Sequence, residues 1–180
     1  MIFTETLLRG AFVIEMEKHM DERGFFARTF CCKEFENHGL ESNFVQCNIS
    51  YNTCKGTLRG MHYQVEPKAE AKLVLCTKGA IYDVIIDLRH DSPTYCQWIS
   101  TDLKSDEYRM LFVPEGLAHG FQTLENDTEV FYQMSEFYSP EHVRGVRWDD
   151  PVFGIRWPDI TNRIISGQDN NFPLMEPNDE

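Results

Sequence analysis

The chain has little positive charge, with 17 Lys and Arg against 29 Asp and Glu and a formal net charge of −12 over 180 residues. Nucleic-acid binding depends on Lys and Arg that neutralise phosphates, so this deficit argues against a nucleic acid as partner. A small anionic ligand stays compatible with it, because a local group of Arg and Lys binds phosphate even in an acidic protein.

The sequence also lacks any apolar stretch approaching the roughly 20 residues that a membrane helix needs, so we expect no membrane partner. Its first 19 residues show no basic start, no continuous apolar segment and no small-residue cleavage site. This pattern is unlike a signal peptide, and a cytoplasmic location is the default expectation.

Cysteine motifs are absent as well. None of the six cysteines forms a CxxC pair, and no histidine cluster accompanies them at zinc spacing. We expect reduced thiols that pack as small apolar groups. A cysteine nucleophile is disfavoured, because no cysteine has a histidine beside it in a recognisable motif.

The hydrophobic pattern predicts an all-β fold in a single domain, since one core serves about 100–200 residues. Short strands separated by Gly, Pro, Asn and Asp are typical of sandwiches, jelly rolls and small barrels. Positions 31–39 are the one clear helix, with Gly39 as its C-terminal cap. We expect positions 175–180 to be frayed. The predicted strands cover positions 11–16, 25–30, 44–49, 57–64, 72–76, 79–89, 94–101, 109–113 and 129–135.

The segment GAIYDVIIDLR at positions 79–89 alternates two faces. One face is wholly apolar and the other alternates Ile with Asp, so we expect cover on both sides of this strand. Thr77, Lys78 and Gly79 predict a tight hairpin turn between this strand and the preceding KLVLC.

The motif RGMHYQ at positions 59–64, followed by Lys72, is the strongest chemical signal. A neutral imidazole beside an ammonium can remove a proton next to a carbonyl while the ammonium stabilises the enolate oxygen. Lys72 shares a strand face with Val74 and Cys76, and an inward lysine needs an anion, for which Asp83 is a candidate. The alternative is an exposed His62 and an edge lysine.

Two arginines are candidates for phosphate binding. Arg23 lies in DERGFFARTF, and Arg59 precedes His62 in the motif. By strand alternation Arg59 faces away from His62, unless Gly60 marks a β-bulge. A solvated or salt-bridged surface arginine is the alternative for each.

A second motif, PEGLAHGF at positions 114–121, contains His119. What is known of metal-binding cupins, rather than the spacing here, is that they take two histidines and a carboxylate from a first motif and one histidine from a second. Here Gln64 replaces one histidine, and Lys72 lies where a carboxylate is wanted, so a metal ion would be repelled. We expect a metal-free site, with His119 either in the pocket or a satisfied core residue.

Three further residues are candidates for the same site. Tyr132 shares a face with Val130 and Met134, and Tyr138 follows it. Tyr132 is either a buried phenol or a proton donor opposite His62. Asp169 is either a loop residue or a carboxylate that orients the His62 ring.

Taken together, these residues resemble the dTDP-4-dehydrorhamnose 3,5-epimerase family, the RmlC-like cupins. The resemblance runs in family order over nearly the whole chain. The matching segments are DERGFFARTF, QCNIS, GTLRGMHYQ, KLVLC, GAIYDVIIDLRHDSPT, VPEGLAHGFQTL, EVFYQMSEFYSP, WDDPVFGIRWP and SGQD.

The resemblance implies a cupin jelly roll, or double-stranded β-helix, with a few short helices. It implies a homodimer formed by strand exchange, with positions 1–50 in the interface and 140–180 closing the site. No metal and no cofactor are implied. The substrate implied is a nucleotide-linked 4-keto-6-deoxyhexose.

Residue roles also follow from the resemblance. His62 would be the base paired with Asp169, Lys72 the enolate stabiliser and Tyr132 the acid. Two residues, Arg23 and Phe26, would reach the nucleotide of the partner subunit. The residues implied to line the substrate pocket are Gln46, Asn48, Arg59, His119 and Tyr138.

The chain departs from the family pattern at Arg28, Leu75 and Gln168, which leaves the nucleotide open. The alternatives are a single-carbon epimerase or ketoisomerase acting on a related dTDP, CDP or GDP sugar, and a non-catalytic cupin that binds a sugar nucleotide. A metal-dependent dioxygenase is disfavoured by the ligand count.

Overall fold

The computed structural model describes residues 1–175, so most of the segment predicted to be frayed lies outside the described residues. Strands dominate this part of the chain, with one short helix near each end. The elements are β1 (Ile2–Glu5), β2 (Phe12–Glu15), β3 (Lys18–Asp21), β4 (Gly24–Ala27), α1 (Cys32–Asn37), β5 (Gln46–Asn52), β6 (Thr57–Gln64), β7 (Lys72–Lys78), β8 (Ala80–Asp87), β9 (Trp98–Lys104), β10 (Arg109–Val113), β11 (Leu117–Thr123), β12 (Thr128–Met134), β13 (Val143–Gly145), β14 (Ile164–Ile165) and α2 (Gly167–Asn170).

Two six-stranded sheets form the body of the molecule. The first has the order β1-β2-β10-β7-β12-β5, and the second has β13-β6-β11-β8-β9 with β14 added beside β6. A separate hairpin, β3–β4, makes a third, two-stranded sheet. This arrangement confirms the predicted all-β jelly roll with short helices.

The main core lies between the two sheets. It combines Val74 and Leu111 of the first sheet with Ile81, Ile85 and other buried residues of the second. The opposite face of β8 carries Val84 and Ile86, which pack under the carboxyl-terminal segment. Both faces of β8 are therefore covered, as its alternating pattern predicts.

Outer layers complete the two sheets. Phe35 of α1 covers the outer face of the first sheet, where it packs with Ile14, Leu73 and Phe112. Since Leu73 faces outward and Val74 faces the main core, Lys72 projects to the same side as Val74. That alternation aims the lysine toward the interior of the barrel.

The predicted hairpin between β7 and β8 is wrong. β7 pairs with β10 and β12, whereas β8 pairs with β11 and β9. The chain turns a corner from one sheet to the other at Gly79, whose φ is +76°. A Cβ there would lie 2.6 Å from the Thr128 hydroxyl oxygen, so the corner requires glycine.

Candidate active site

A cavity of about 880 Å³ opens between the sheets, a volume within the usual range for small-molecule sites. Strands β5, β6, β7, β11 and β12 line it together with the carboxyl-terminal segment. Seven of the predicted site residues lie on its wall. They are Arg59, His62, Lys72, His119, Tyr132, Tyr138 and Asp169.

A β-bulge in β6 explains how Arg59 and His62 share this cavity. In the pairing of β11 with β6, His119 is opposite His62 and Phe121 is opposite Arg59. The two residues are two positions apart on β11 but three positions apart on β6. One extra residue on β6 reverses the alternation between them, as the sequence left open for Gly60. Gly60 has a φ of +130°, and a Cβ on it would lie 2.5 Å from the Gly120 Cα.

His62 is held by a carboxylate from the carboxyl-terminal segment. The His62 Nε2 lies 2.7 Å from Asp169 Oδ1. Strand β14 runs parallel to β6, and the Ser166 hydroxyl then accepts a hydrogen bond from the Asp169 amide at the start of α2. This path brings Asp169, predicted from the sequence as the partner of His62, to the imidazole from more than 100 residues away.

Electrostatics keeps the Asp169 carboxyl ionised. Burial alone would raise its pKa, but hydrogen bonds from His62 and the Gly60 amide hold the pKa below its ordinary value. The Gly60 amide donates to Oδ2 at 3.2 Å while His62 contacts Oδ1. An ionised carboxylate on Nε2 fixes the ring tautomer and leaves Nδ1 as the free basic nitrogen.

Lys72 lies beside His62 in the buried part of the cavity. Its Nζ donates to the His62 carbonyl oxygen at 3.1 Å and contacts Glu70 Oε1 at 2.9 Å. An ammonium has three N–H donors, so one more can point into the cavity. Its positive charge thus lines the same cavity as the imidazole, as enolate stabilisation requires.

Glu70 takes the role that the sequence offered to Asp83. The predicted pairing of Lys72 with Asp83 is wrong, because Asp83 Oδ1 lies 2.6 Å from His119 Nε2. Asp83 lies opposite Phe121 on the neighbouring β11, which keeps it against that strand. Sequence reasoning missed Glu70, although its position two residues before Lys72 places it on the same side of an extended chain.

Each histidine of the two motifs thus has its own carboxylate, Asp169 for His62 and Asp83 for His119. Within residues 1–175, no group of three or more His, Cys, Asp or Glu is arranged to hold a metal ion. The arrangement instead offers a hydrogen-bonded base with an ammonium beside it.

Tyr132 is the acid candidate of the same cavity. It lies on β12 opposite Val74 and packs against the main core. Burial raises the pKa of its phenol. The charge of nearby Arg59 lowers this pKa in part, and the charge of nearby Glu70 raises it further. The phenol therefore stays protonated at neutral pH, as a proton donor must.

The rim of the cavity is built from polar side chains. The Arg59 Nε donates to Asn52 Oδ1 at 2.8 Å, which anchors the guanidinium. Tyr138 is half exposed, and its amide donates to Gln46 Oε1 at 3.1 Å. Gln46 and Asn48 are not among the lining residues, but both contact the sulfur of Met134, which lines the cavity.

Comparison with known proteins agrees with this geometry. A model of the dTDP-4-dehydrorhamnose 3,5-epimerase family matches residues 5–177. The chain belongs to this family. The predictions of the family, of the cupin fold and of an isomerase of the epimerase class are therefore confirmed.

Individual epimerases are similar over nearly their full length. One from Methanothermobacter thermautotrophicus is 45% identical, covering 97% of this chain and 95% of its own. A crystal structure of the Bacillus anthracis epimerase with TDP and PPi bound has a TM-score of 0.92, at 45% identity over 97% and 99% of the two chains. A Legionella pneumophila epimerase in complex with dTDP-4-keto-L-rhamnose has a TM-score of 0.90, at 34% identity over 96% and 92%.

Two residues predicted to bind the nucleotide lie outside the cavity of this epimerase chain. Arg23 and Phe26 belong to the β3–β4 hairpin. The Arg23 side chain is 85% exposed and pairs with Asp21, and Phe26 is 71% exposed. Over residues 1–175, neither residue is among those that line the cavity.

Two of the three positions that depart from the family pattern also lie outside the cavity. Arg28 pairs with Glu34 at 2.5 Å, and Leu75 packs on the outer face of the first sheet. Only Gln168 lines the cavity, next to Asp169.

Sequence reasoning also missed a contact between Gly145 and Phe172. Gly145 of β13 is opposite His62, and a Cβ on it would lie 2.4 Å from the Phe172 ring. The Phe172 ring lies edge to face with the His62 ring, with 5.7 Å between centroids. Because Gly145 has no side chain, the Phe172 ring can lie against the His62 ring.

Proposed function

We propose that this chain inverts carbons 3 and 5 of dTDP-4-dehydro-6-deoxy-D-glucose and produces dTDP-4-dehydro-L-rhamnose. The observation that carries the proposal is one cavity lined by a carboxylate-bound imidazole, an ammonium and a protonated phenol. Membership of the epimerase family and the nucleotide found in the Bacillus anthracis relative support the substrate class.

The first step is removal of a proton next to the ketone by His62. Asp169 on Nε2 orients the ring and stabilises the imidazolium that forms. Lys72 donates its free N–H to the carbonyl oxygen, which becomes the enolate oxygen. Because that contact strengthens only as charge develops, Lys72 acts on turnover more than on binding.

The second step is return of a proton to the opposite face of the ring carbon. Tyr132 supplies it, since its phenol is kept neutral by burial. The imidazolium of His62 and the tyrosinate then exchange protons with solvent before the next carbon reacts. Turning of the sugar between the two steps requires a pocket that holds the nucleotide more tightly than the sugar.

Deuterium incorporation tests the proposal. The chain is incubated with dTDP-4-keto-6-deoxyglucose in heavy water, and NMR locates deuterium in the product. We expect label at both carbons, and none with His62→Asn. Label at one carbon would identify a single-carbon epimerase, and nucleotide-sugar binding without any label would identify a non-catalytic cupin.

The assembly and the location also belong to this proposal. We infer a homodimer whose β3–β4 hairpin reaches the other subunit, and the exposed Met20 and Phe26 on that hairpin support it. Among the described residues, the helices are all too short to cross a membrane. The cytoplasmic location and the lack of a cofactor stay predictions from the sequence.

A further inference from the structure

Glu70 has a carboxylate oxygen that the reaction described above leaves unused. The residue is 6% exposed and lines the cavity. Its Oε1 binds the Lys72 ammonium at 2.9 Å, while its Oε2 is buried with no hydrogen-bond partner in the described part of the chain. A buried acceptor left in this way is costly, so a ligand that supplies a donor would bind with a gain.

Glu70 and Lys72 present adjacent, opposite hydrogen-bonding groups. Both residues line the cavity, where Lys72 has one N–H left after its two contacts and Glu70 has Oε2 left after Oε1 binds Lys72. A hydrogen-bond donor next to an acceptor is complementary to a ketone that carries a hydroxyl on the neighbouring carbon. The ketone accepts from the ammonium, and the hydroxyl donates to the carboxylate.

We propose that Glu70 Oε2 accepts the hydrogen bond of the substrate hydroxyl on the carbon next to the ketone, and that this contact selects a 3-hydroxy-4-keto sugar over its 3-deoxy analogue. The inference rests on the proposed function and names a specificity residue for the same site. A polar group built to bind a hydroxyl discriminates strongly against an analogue that lacks it, because the group is then left unpaired.

The decisive comparison is between the normal substrate and its 3-deoxy analogue, dTDP-4-dehydro-3,6-dideoxyglucose. Both keep the proton on carbon 5, so kcat/KM for deuterium incorporation at that carbon can be measured for each. For the wild type we expect kcat/KM to be about 10–100-fold lower with the analogue, the range for a hydrogen bond to a charged group.

Variants of Glu70 separate this contact from the support that Glu70 gives to Lys72. With Glu70→Leu we expect the kcat/KM for the substrate divided by the kcat/KM for the analogue to fall to about 1–3, even though kcat falls for both compounds. Glu70→Gln keeps a neutral hydrogen-bonding group, so its ratio should lie between those of the wild type and Glu70→Leu. Glu136→Gln, a carboxylate paired with Lys68 away from the cavity, is the matched control and should keep the wild-type ratio.

Two results would overturn the inference. A wild type that uses the 3-deoxy analogue as well as the substrate shows that no group reads the hydroxyl, whatever the variants do. A Glu70→Leu variant that folds, binds dTDP as the wild type does and keeps the full ratio shows that another residue reads it. If the wild type labels neither carbon of the normal substrate, the proposed function itself has failed.

Discussion

At the scale of single residues, two histidines and the lysine of the cavity each have their own acid. Asp169 binds His62, Glu70 binds Lys72 and Asp83 binds His119. This pairing places one acid beside each of these bases in a chain whose net charge is −12, so the ammonium of Lys72 has a partner inside the site. Because these pairs are local, removing one acid should affect one base rather than the whole site.

Replacing Asp169 with Asn tests the orientation of His62. An amide presents either a neutral acceptor or an N–H donor to Nε2, so the basicity and the tautomer of the ring are both disturbed. We expect kcat for epimerisation to fall by about 10²–10⁴-fold, with dTDP binding nearly unchanged. Asp149→Asn, a surface carboxylate paired with Arg147, is the control. If Asp169→Asn is as active as the control, Asp169 does not assist His62 in the reaction.

Replacing Tyr132 with Phe separates proton removal from proton return. His62 remains in place, so deuterium exchange should continue, whereas inversion should fall by about 10²–10⁴-fold, the usual contribution of a general acid. NMR measures label and configuration in the same sample. Tyr82→Phe on the outer face of β8 serves as control, because Tyr82 packs under the carboxyl-terminal segment. Equal loss of exchange and inversion would rule out Tyr132 as the acid.

At the scale of secondary-structure elements, local patterns predicted some strands and could not predict their partners. The bounds of β6 and β10 agree with the prediction, because turn residues flank both strands. The corner at Gly79 was predicted as a hairpin, because glycine is common both in hairpins and at corners between two sheets. Only the strand pairing distinguishes the two, and β7 and β8 pair with different strands. Asp83 lies on the predicted face of β8, but it pairs with His119 rather than with Lys72. The sequence of one strand does not determine how it aligns with strands that are distant in the chain.

The carboxyl-terminal segment was the hardest part to predict. Strand β14 has two residues and α2 has four, too few for a recognisable period. The local sequence left Asp169 open between a loop residue and a partner of His62, and the family resemblance favoured the pairing. Phe172 did not enter the prediction at all. The contacts that hold this segment over His62 are between residues far apart in the sequence, which explains why composition alone gave no sign of them.

Adding a methyl group at Gly145 tests whether the carboxyl-terminal segment positions the base. In Gly145→Ala the Cβ would meet three Phe172 ring atoms at 2.4–2.6 Å, so the ring must move away from His62. We expect kcat to fall at least about tenfold while the fold persists, since overpacking costs on the order of 1–3 kcal/mol. The double variant Gly145→Ala with Phe172→Leu should recover part of the lost rate. A single variant with full activity would show that the ring is dispensable.

The connection between β8 and β9 predicts a pH dependence of stability. Burial alone would raise the pKa of Asp87, but hydrogen bonds from Arg89, Ser92 and Thr94 hold the pKa of this carboxyl well below its ordinary value. The folded pKa is depressed, so this stabilisation is present above about pH 4 and is lost as pH falls through the folded pKa.

Chemical denaturation of Asp87→Asn measures that contribution. We expect the variant to be less stable than the wild type by about 2–5 kcal/mol at pH 7, since Arg89 loses its buried partner. The difference should shrink as the pH is lowered below about 4. Asp102→Asn, at an exposed position of β9, should show neither effect. A difference that is independent of pH would exclude the ionised carboxylate as its source.

At the scale of the whole molecule, the cavity of one chain does not include every residue that the family resemblance assigns to the substrate. Arg23 and Phe26 extend on a hairpin whose side chains are almost entirely exposed. An exposed group of Met20, Phe25 and Phe26 is unusual unless another surface covers it. A second copy that receives the hairpin would complete two sites at once, because a two-fold dimer exchanges identical elements.

Mixing two inactive variants tests this arrangement. Arg23→Ala should weaken dTDP binding although Arg23 does not line its own cavity, and His62→Asn should abolish turnover. After subunit exchange, a mixed dimer has one site that combines the intact hairpin of one chain with the intact base of the other. Random pairing then restores about a quarter of wild-type activity, since half the dimers are mixed and each has one complete site. Restored activity requires the hairpin to act across the dimer, whereas a mixture no more active than its components would show that the hairpin of one chain does not serve the site of the other.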